Sequence, residues 1–281
     1  MVRLFMVISG LILCTVLPAH AETAATRSFG VLNQRSIQLT AEYWNPILRY
    51  VSKKSGVSLE LKMGKTAPDT SAMTGRGEFD YVYSNHIFTS TNSKVGYRII
   101  ARPMAEAIQG QIVVADDAGI KDLHDLQGLE VGFPSASAFV GYAVPMNELL
   151  RLGIHVAPIF GGNQEGIMAQ LKIGKVVAAG VNAKVMRQYA ERENFKYRAL
   201  WTSEDYLNLP ISAHPRIDKA EVNAVRAAFA RMADDPEGLA ILQSSAAVIR
   251  QKPPYGFVPA QESDYASYRR FYKNTRVKEG G

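Results

Sequence analysis

The 281-residue chain carries a single cysteine, Cys14, and it sits inside the N-terminal apolar stretch. Disulfides within the chain are therefore excluded. Beyond that stretch no apolar run approaches the roughly 20 residues that a membrane-spanning helix needs. Dense basic runs are also missing, although 32 Lys and Arg outnumber 26 Asp and Glu. The excess is spread along the chain, which suits a small anionic ligand and excludes a nucleic-acid footprint. No Gly-x-Ser-x-Gly, His-Glu-x-x-His or glycine-rich phosphate loop occurs, and Ser135 has no indicated base, so the chain does not read as an enzyme. His124 lies between Asp122 and Asp125, but one imidazole at that spacing marks a solvated face and no metal site. No cofactor motif is found. Internal repeats and low-complexity linkers are absent too, so two lobes, if formed, are joined by short strand-like segments.

What is present begins with an export signal at residues 1–21. Arg3 supplies the positive end, and residues 4–17 are apolar apart from Ser9, Gly10, Cys14 and Thr15. Ala19-His20-Ala21 meets the small-x-small cleavage rule. Cleavage there predicts a periplasmic, mainly monomeric mature chain beginning near Glu22. That chain has no cysteine, and 31 basic against 26 acidic residues leave it at +5. An ordinary apolar core must stabilise it.

Strand and helix patterns then alternate. Strands are predicted at 27–32, 57–63, 78–84, 97–102, 111–115, 157–160, 176–181 and 197–201. Helices are predicted at 39–55, 66–76, 184–192, 220–233, 237–246 and 264–272. In the first helix Tyr43, Ile47, Tyr50 and Val51 share a face, and Gly56 ends it. This order argues for mainly parallel sheets flanked by helices, an α/β fold.

One stretch organises the rest. Val131 and Phe133 end a short buried strand, and Pro134 stops it by removing a ladder donor. Ser135, Ala136, Ser137 and Ala138 are all small, and a helical pattern follows to Gly153. Two readings are open at this point. The serines cap the helix, or their hydroxyls and the free N–H groups of the helix start hold an oxyanion.

Several ordered segments resemble periplasmic solute-binding proteins of the phosphate/phosphite/phosphonate (PhnD-like) group of ABC importers. They are Gly30-Val31 with Trp44-Asn45-Pro46, and Gly77-Glu78-Phe79-Asp80-Tyr81-Val82-Tyr83. Next comes Leu123-His124-Asp125-Leu126-Gln127-Gly128 running into Val131-Gly132-Phe133-Pro134-Ser135. Gly141-Tyr142, Gly161-Gly162-Asn163 and Gly256-Phe257-Val258-Pro259 complete the set. The resemblance implies a two-lobed type II binding-protein fold with a ligand cleft. Lobe one would hold residues 27–115 and 209–281, and lobe two residues 116–208. It implies oxyanion contacts from Ser135, Ser137 and Ala138, with Tyr83 and Asn85 on the other side. His86, as ligand donor or loop residue, and Asn163 complete the candidate set. The implied partner is an inner-membrane permease, or alternatively a sensor receptor. The implied ligand is a small oxyanion, or alternatively another organic anion. The chain departs from the family at Asn85-His86, Gly162-Asn163 and Gly174-Lys175-Val176. The acid that would pair an aminophosphonate's ammonium is missing.

Overall fold

The computed structural model describes residues 26–278; the export segment and Cys14 lie outside them. Among the described residues no helix is long and apolar enough to cross a membrane. None of their His, Asp and Glu side chains gather in threes that could hold a metal ion.

The first lobe starts with β1 (Arg27–Val31), α1 (Ile37–Ser55), β2 (Leu59–Lys62), α2 (Ala67–Gly75), β3 (Tyr81–Tyr83) and β4 (Arg98–Pro103). The second contains β5 (Gly110–Ala115), β6 (Glu130–Phe133), a π-helical turn (Phe139–Ala143) and α3 (Val144–Arg151). It continues with β7 (Ala157–Phe160), α4 (Gln164–Lys172), β8 (Ala178–Asn182), α5 (Ala183–Glu193) and β9 (Tyr197–Thr202). The chain then returns to the first lobe with β10 (Ile211–Ala213), α6 (Lys219–Ala230), α7 (Pro236–Val248), β11 (Phe257–Pro259) and α8 (Ala266–Asn274).

Local chemistry explains the element ends. Ser36 Oγ accepts from the Leu39 N–H at the start of α1, and Gly56, at φ 74°, closes it in the left-handed region. Thr66 and Asp69 form a reciprocal capping box on α2. Along α1, Trp44, Ile47, Leu48, Tyr50 and Val51 are buried against Phe29, Val31 and Phe229. Each fully buried apolar side chain there contributes about 1.5–3 kcal/mol.

The two sheets run β11-β4-β10-β3-β1-β2 and β7-β6-β8-β5-β9. β1 pairs in parallel with β2 and β3, and β6 with β7 and β8. The remaining pairings are antiparallel and involve β10 and β11 in one sheet and β5 and β9 in the other. The sheets are thus more mixed than alternation alone predicts, because strands that enter or leave a lobe run against its parallel centre. Helices cover both faces of the second sheet: Ile112, Val131, Phe133 and Leu149 pack on one side, and Val113, Ile167, Met168 and Val181 on the other.

The first lobe boundary needs correction. Gly110–Ala115, expected in lobe one, lies between β8 and β9 in the second sheet. The first crossover is therefore residues 104–109, and the second residues 203–210. An apolar strand pattern marks a strand but not the sheet it joins. The crossovers pair with each other: Ile108 N donates to Tyr206 O at 2.7 Å, and Tyr206 N to Ile108 O at 2.8 Å. α8 buttresses this hinge. The hydroxyls of Tyr265, at its N-cap, and of Tyr268 donate to the carbonyls of Asn208 (2.7 Å) and Leu207 (2.6 Å). The Tyr268 ring stacks at 4.2 Å on Phe139 of lobe two. The tail then reaches lobe two, where Arg276 N donates to Asn147 Oδ1 at 2.9 Å. The last residues thus also contact lobe two, although residues 209–281 were expected in lobe one.

Candidate functional site

Four strands end at one place. Residues 32–35 follow β1, residues 84–86 follow β3, residues 134–138 follow β6 and residues 183–184 follow β8. The space outside the carboxyl ends of such strands is where open α/β sheets bind ligands. The lobes touch across it: Glu165 N donates to Gln34 O at 3.3 Å, and Ala67 N to Gly162 O at 3.1 Å. Arg35 Nη2 donates to Gln188 Oε1. Two small cavities remain between the lobes, and both are lined by Leu32 and Gln34.

The first cavity, about 20 Å³, is lined by Ser135 and Ala138 from lobe two and by Asn85 and His86 from lobe one, with Gln164 beside them. Ser135 is 1% exposed. Its Oγ lies 3.3 Å from Ser137 Oγ. Neither hydroxyl caps a helix: the π-helical turn has Ala138 at its N-cap and no side-chain cap. Ala138 N donates to Ser135 O, and the Tyr142 and Ala143 N–H groups both donate to Ala138 O. The N–H groups of residues 139–141 thus precede the first helical bond and carry the partial positive charge of a helix start. Ala138 N itself is committed to the turn. Opposite, Asn85 Oδ1 and both ring nitrogens of His86 are buried without a hydrogen-bond partner. Burial pushes the His86 pKa down to about 4. The ring is neutral near pH 7, with one donor and one acceptor nitrogen.

The second cavity, about 50 Å³, has a different character. Arg35 and Lys184 line it together with Tyr43, Tyr83, Asn182, Asn208 and others. Tyr83 OH donates to Asn208 Oδ1 at 3.2 Å. Burial pushes the Tyr43 phenol up to about 12, with the Arg35 charge opposing. Burial, helped by Arg35, lowers Lys184 to about 8.

The fold therefore brings Ser135, Ala138, Asn85 and His86 to one cavity and Tyr83 to its neighbour. Tyr81, the alternate residue of the same strand, is fully buried and donates to Glu221 at 3.0 Å. Ser137 faces a separate outer groove with Thr91, Asn92 and Thr275. Asn163 lines neither inter-lobe cavity; its side chain accepts from Gly166 N at 2.7 Å and caps α4. Sequence reasoning missed Arg35 and Lys184. Arg35 read as part of a polar turn and Lys184 as the start of a helix. Their one available signal was position, directly after strands β1 and β8.

Comparison with known proteins identifies the fold and the family. A family model described as "ABC transporter, phosphonate, periplasmic substrate-binding protein" matches residues 29–265. No curated protein matches. Among solved structures, PhnD1 from Prochlorococcus marinus in complex with methylphosphonate aligns with TM-score 0.74 at 13% identity, covering 88% of this chain and 97% of that one. A binding-protein component of an ABC phosphonate transporter from Pseudomonas aeruginosa aligns with TM-score 0.76 at 15% identity, covering 88% and 85%. A Xanthomonas citri protein bound to ATP aligns with TM-score 0.62 at 17% identity, covering 89% and 96%. At such identities the structures speak for the fold, the two-lobed type II binding-protein architecture. The family model spans most of the chain and speaks for more: its members are substrate-binding transport proteins, not enzymes. This chain belongs to the periplasmic substrate-binding family of phosphonate ABC transporters.

Proposed function

We propose that the protein captures a small phosphate-, phosphite- or phosphonate-like oxyanion between its lobes and delivers it to an inner-membrane permease. One observation carries the reading. A single inter-lobe cavity is lined by the Ser135 turn and by Asn85 and His86, whose Oδ1 and two ring nitrogens are buried without a hydrogen-bond partner. Each unmatched buried polar group costs about 1–3 kcal/mol. Such groups persist at a site where a polar ligand satisfies them. The Ser135 hydroxyl and the helix-start N–H groups suit anionic oxygens. The acceptors opposite suit an oxyanion that keeps one O–H. The likeness in fold to a protein that holds methylphosphonate supports the same class of ligand. At about 20 Å³ the cavity has room for about one water molecule. A tetrahedral oxyanion therefore enters as the lobes part about the paired crossovers and is sealed from water as they close. We infer further that residues 1–21 are removed on export.

Melting of the mature protein with phosphate, phosphite, methylphosphonate and sulfate tests the reading. A specific oxyanion present at a hundred times its Kd adds about 2.7 kcal/mol of stability. If none of these tetrahedral anions raises the melting temperature at millimolar concentration, the proposal fails. N-terminal sequencing of exported protein should begin near Glu22, and a retained Met1 would refute the export step.

A further inference from the structure

The second cavity breaks two local rules at once. Lys184 is the second residue of α5, where the helix dipole favours an acid, and α5 has no acid in its first turn. Arg35 immediately precedes the Ser36 cap of α1, whose first turn also lacks an acid. Two cations thus stand at two positive helix ends and line the same space. No acid forms an ion pair with either of them among the described residues. The acids that act on them electrostatically are Glu165 for Arg35 and Glu106 for Lys184. Glu165 is already paired with Arg192 at 2.8 Å, and Glu106 with Arg187 at 3.3 Å. Arg35 hydrogen-bonds to the neutral Gln188 of lobe two, and its Nε is buried without a partner. No hydrogen bond or ion pair engages the Lys184 ammonium among the described residues. An uncompensated cation removed from water is costly unless a counter-charge arrives.

We propose that the cleft takes a ligand with two anionic groups, an oxyanion head at the Ser135 turn and a second anion at Arg35 and Lys184. This rests on the oxyanion reading above and extends it to specificity. The cavities adjoin, since Leu32 and Gln34 line both, and Gln164 of the first accepts from Asn182 N of the second at 3.0 Å. A short ligand can span them. The planar guanidinium fork matches a carboxylate, and the ammonium adds a point charge. A ligand with an ammonium at that end meets repulsion from both side chains.

Calorimetric titration with a matched series decides the matter: ethylphosphonate, 3-phosphonopropionate and 2-aminoethylphosphonate. The phosphonocarboxylate should bind about 10- to 100-fold more tightly than ethylphosphonate, as expected for a charge-assisted pair. The aminophosphonate should bind more weakly than ethylphosphonate. In Lys184→Met and Arg35→Gln the preference for the carboxylate should fall to within about threefold of none, while ethylphosphonate affinity stays within about the same factor. Arg35→Lys keeps the charge and should restore part of the preference, which a merely misfolded variant cannot do. Three ligands of equal affinity, or variants that weaken all three alike, overturn this proposal and leave the oxyanion reading standing. A simple dicarboxylate that binds where no phosphonate does, dependent on Lys184 and indifferent to Ser135→Ala, overturns the oxyanion reading and this proposal with it.

Discussion

The two inter-lobe cavities share a wall and differ in charge. One is lined by the Ser135 hydroxyl, side-chain amides and a neutral imidazole. The other is built around an arginine and a lysine whose nearby acids are already taken. Neutral dipoles can hold an oxyanion without adding repulsion to the empty protein, because they need no counter-charge when water replaces the ligand. Cations that are partly buried impose a standing cost on the empty protein and return it on binding. The neutral half therefore suits recognition of the head group shared by a ligand class. The cationic half suits discrimination among members of that class. The contrast makes distinct predictions about stability and pH.

The largest effect is expected from acid. His86 sits at about 4 in the folded protein against 6.5 in a free chain. As pH falls through that window the unfolded chain takes up the proton first, so stability falls with it. A shift of this size corresponds to about 3 kcal/mol lost between pH 6.5 and 4. Denaturant melts of the apo protein across that range should show the loss, and His86→Leu should flatten it. An unchanged slope in the variant would place the acid sensitivity elsewhere. A bound oxyanion stabilises the protonated ring, so saturating ligand should shrink the same loss.

Next in size is Ser135→Ala. A hydroxyl donated to a charged oxygen is worth about 1.5–3 kcal/mol, or about 10- to 100-fold in affinity. Because Ser135 caps no helix, the apo melting temperature should barely move. A variant that melts early but binds normally would remove this turn from the site.

The cationic half should behave in the opposite way. Lys184 sits at about 8, below the 10.5 of a free lysine. Its neutral form is favoured in the folded state, so the associated stability is present above pH 10.5 and lost as pH falls through 8. Lys184→Met should therefore raise apo stability at pH 7, by about 1–2 kcal/mol once partial exposure is discounted. It should also abolish the rise between pH 8 and 10.5. Unchanged stability at pH 7 would show the ammonium to be well solvated.

How much of this was legible depends on sequence distance. The serine turn is contiguous, and a strand, a proline and four small residues announce it within one short stretch. Asn85 entered only as what the family resemblance implies, and His86 with a ligand reading and a loop reading both open. Arg35 and Lys184 lie in different lobes, and only the fold brings them to line one cavity. Each alone reads as an ordinary polar loop or helix residue, as solvated lysines and arginines usually do. Gly110–Ala115 was legible as a strand, but its apolar alternation fits either sheet, so the lobe boundary fell on the wrong side of it. The role of α8 and its N-cap as a hinge brace was hidden for the same reason, since Tyr265 and Tyr268 bond to carbonyls of residues 207 and 208.

Asn163 gives the smallest effect and the sharpest control. The family resemblance put it among the ligand-binding candidates, beside Ser135 in the same lobe. Its side chain, however, accepts from Gly166 N at 2.7 Å, and its backbone is extended at the start of α4. That is the geometry of a cap, whose loss costs about 0.5–2 kcal/mol. α4 carries Ile167, Met168 and Leu171 into the second lobe's core, so fraying its first turn weakens that lobe and leaves the serine turn in place. Asn163→Ala should lower the melting temperature and leave affinity for methylphosphonate within about twofold, under a quarter of the smallest loss expected for Ser135→Ala. Asn163→Asp keeps the acceptor and should restore stability. If Asn163→Ala instead melts normally and loses affinity, the side chain leaves its cap to meet the ligand, and the neutral half of the cleft extends to the start of α4.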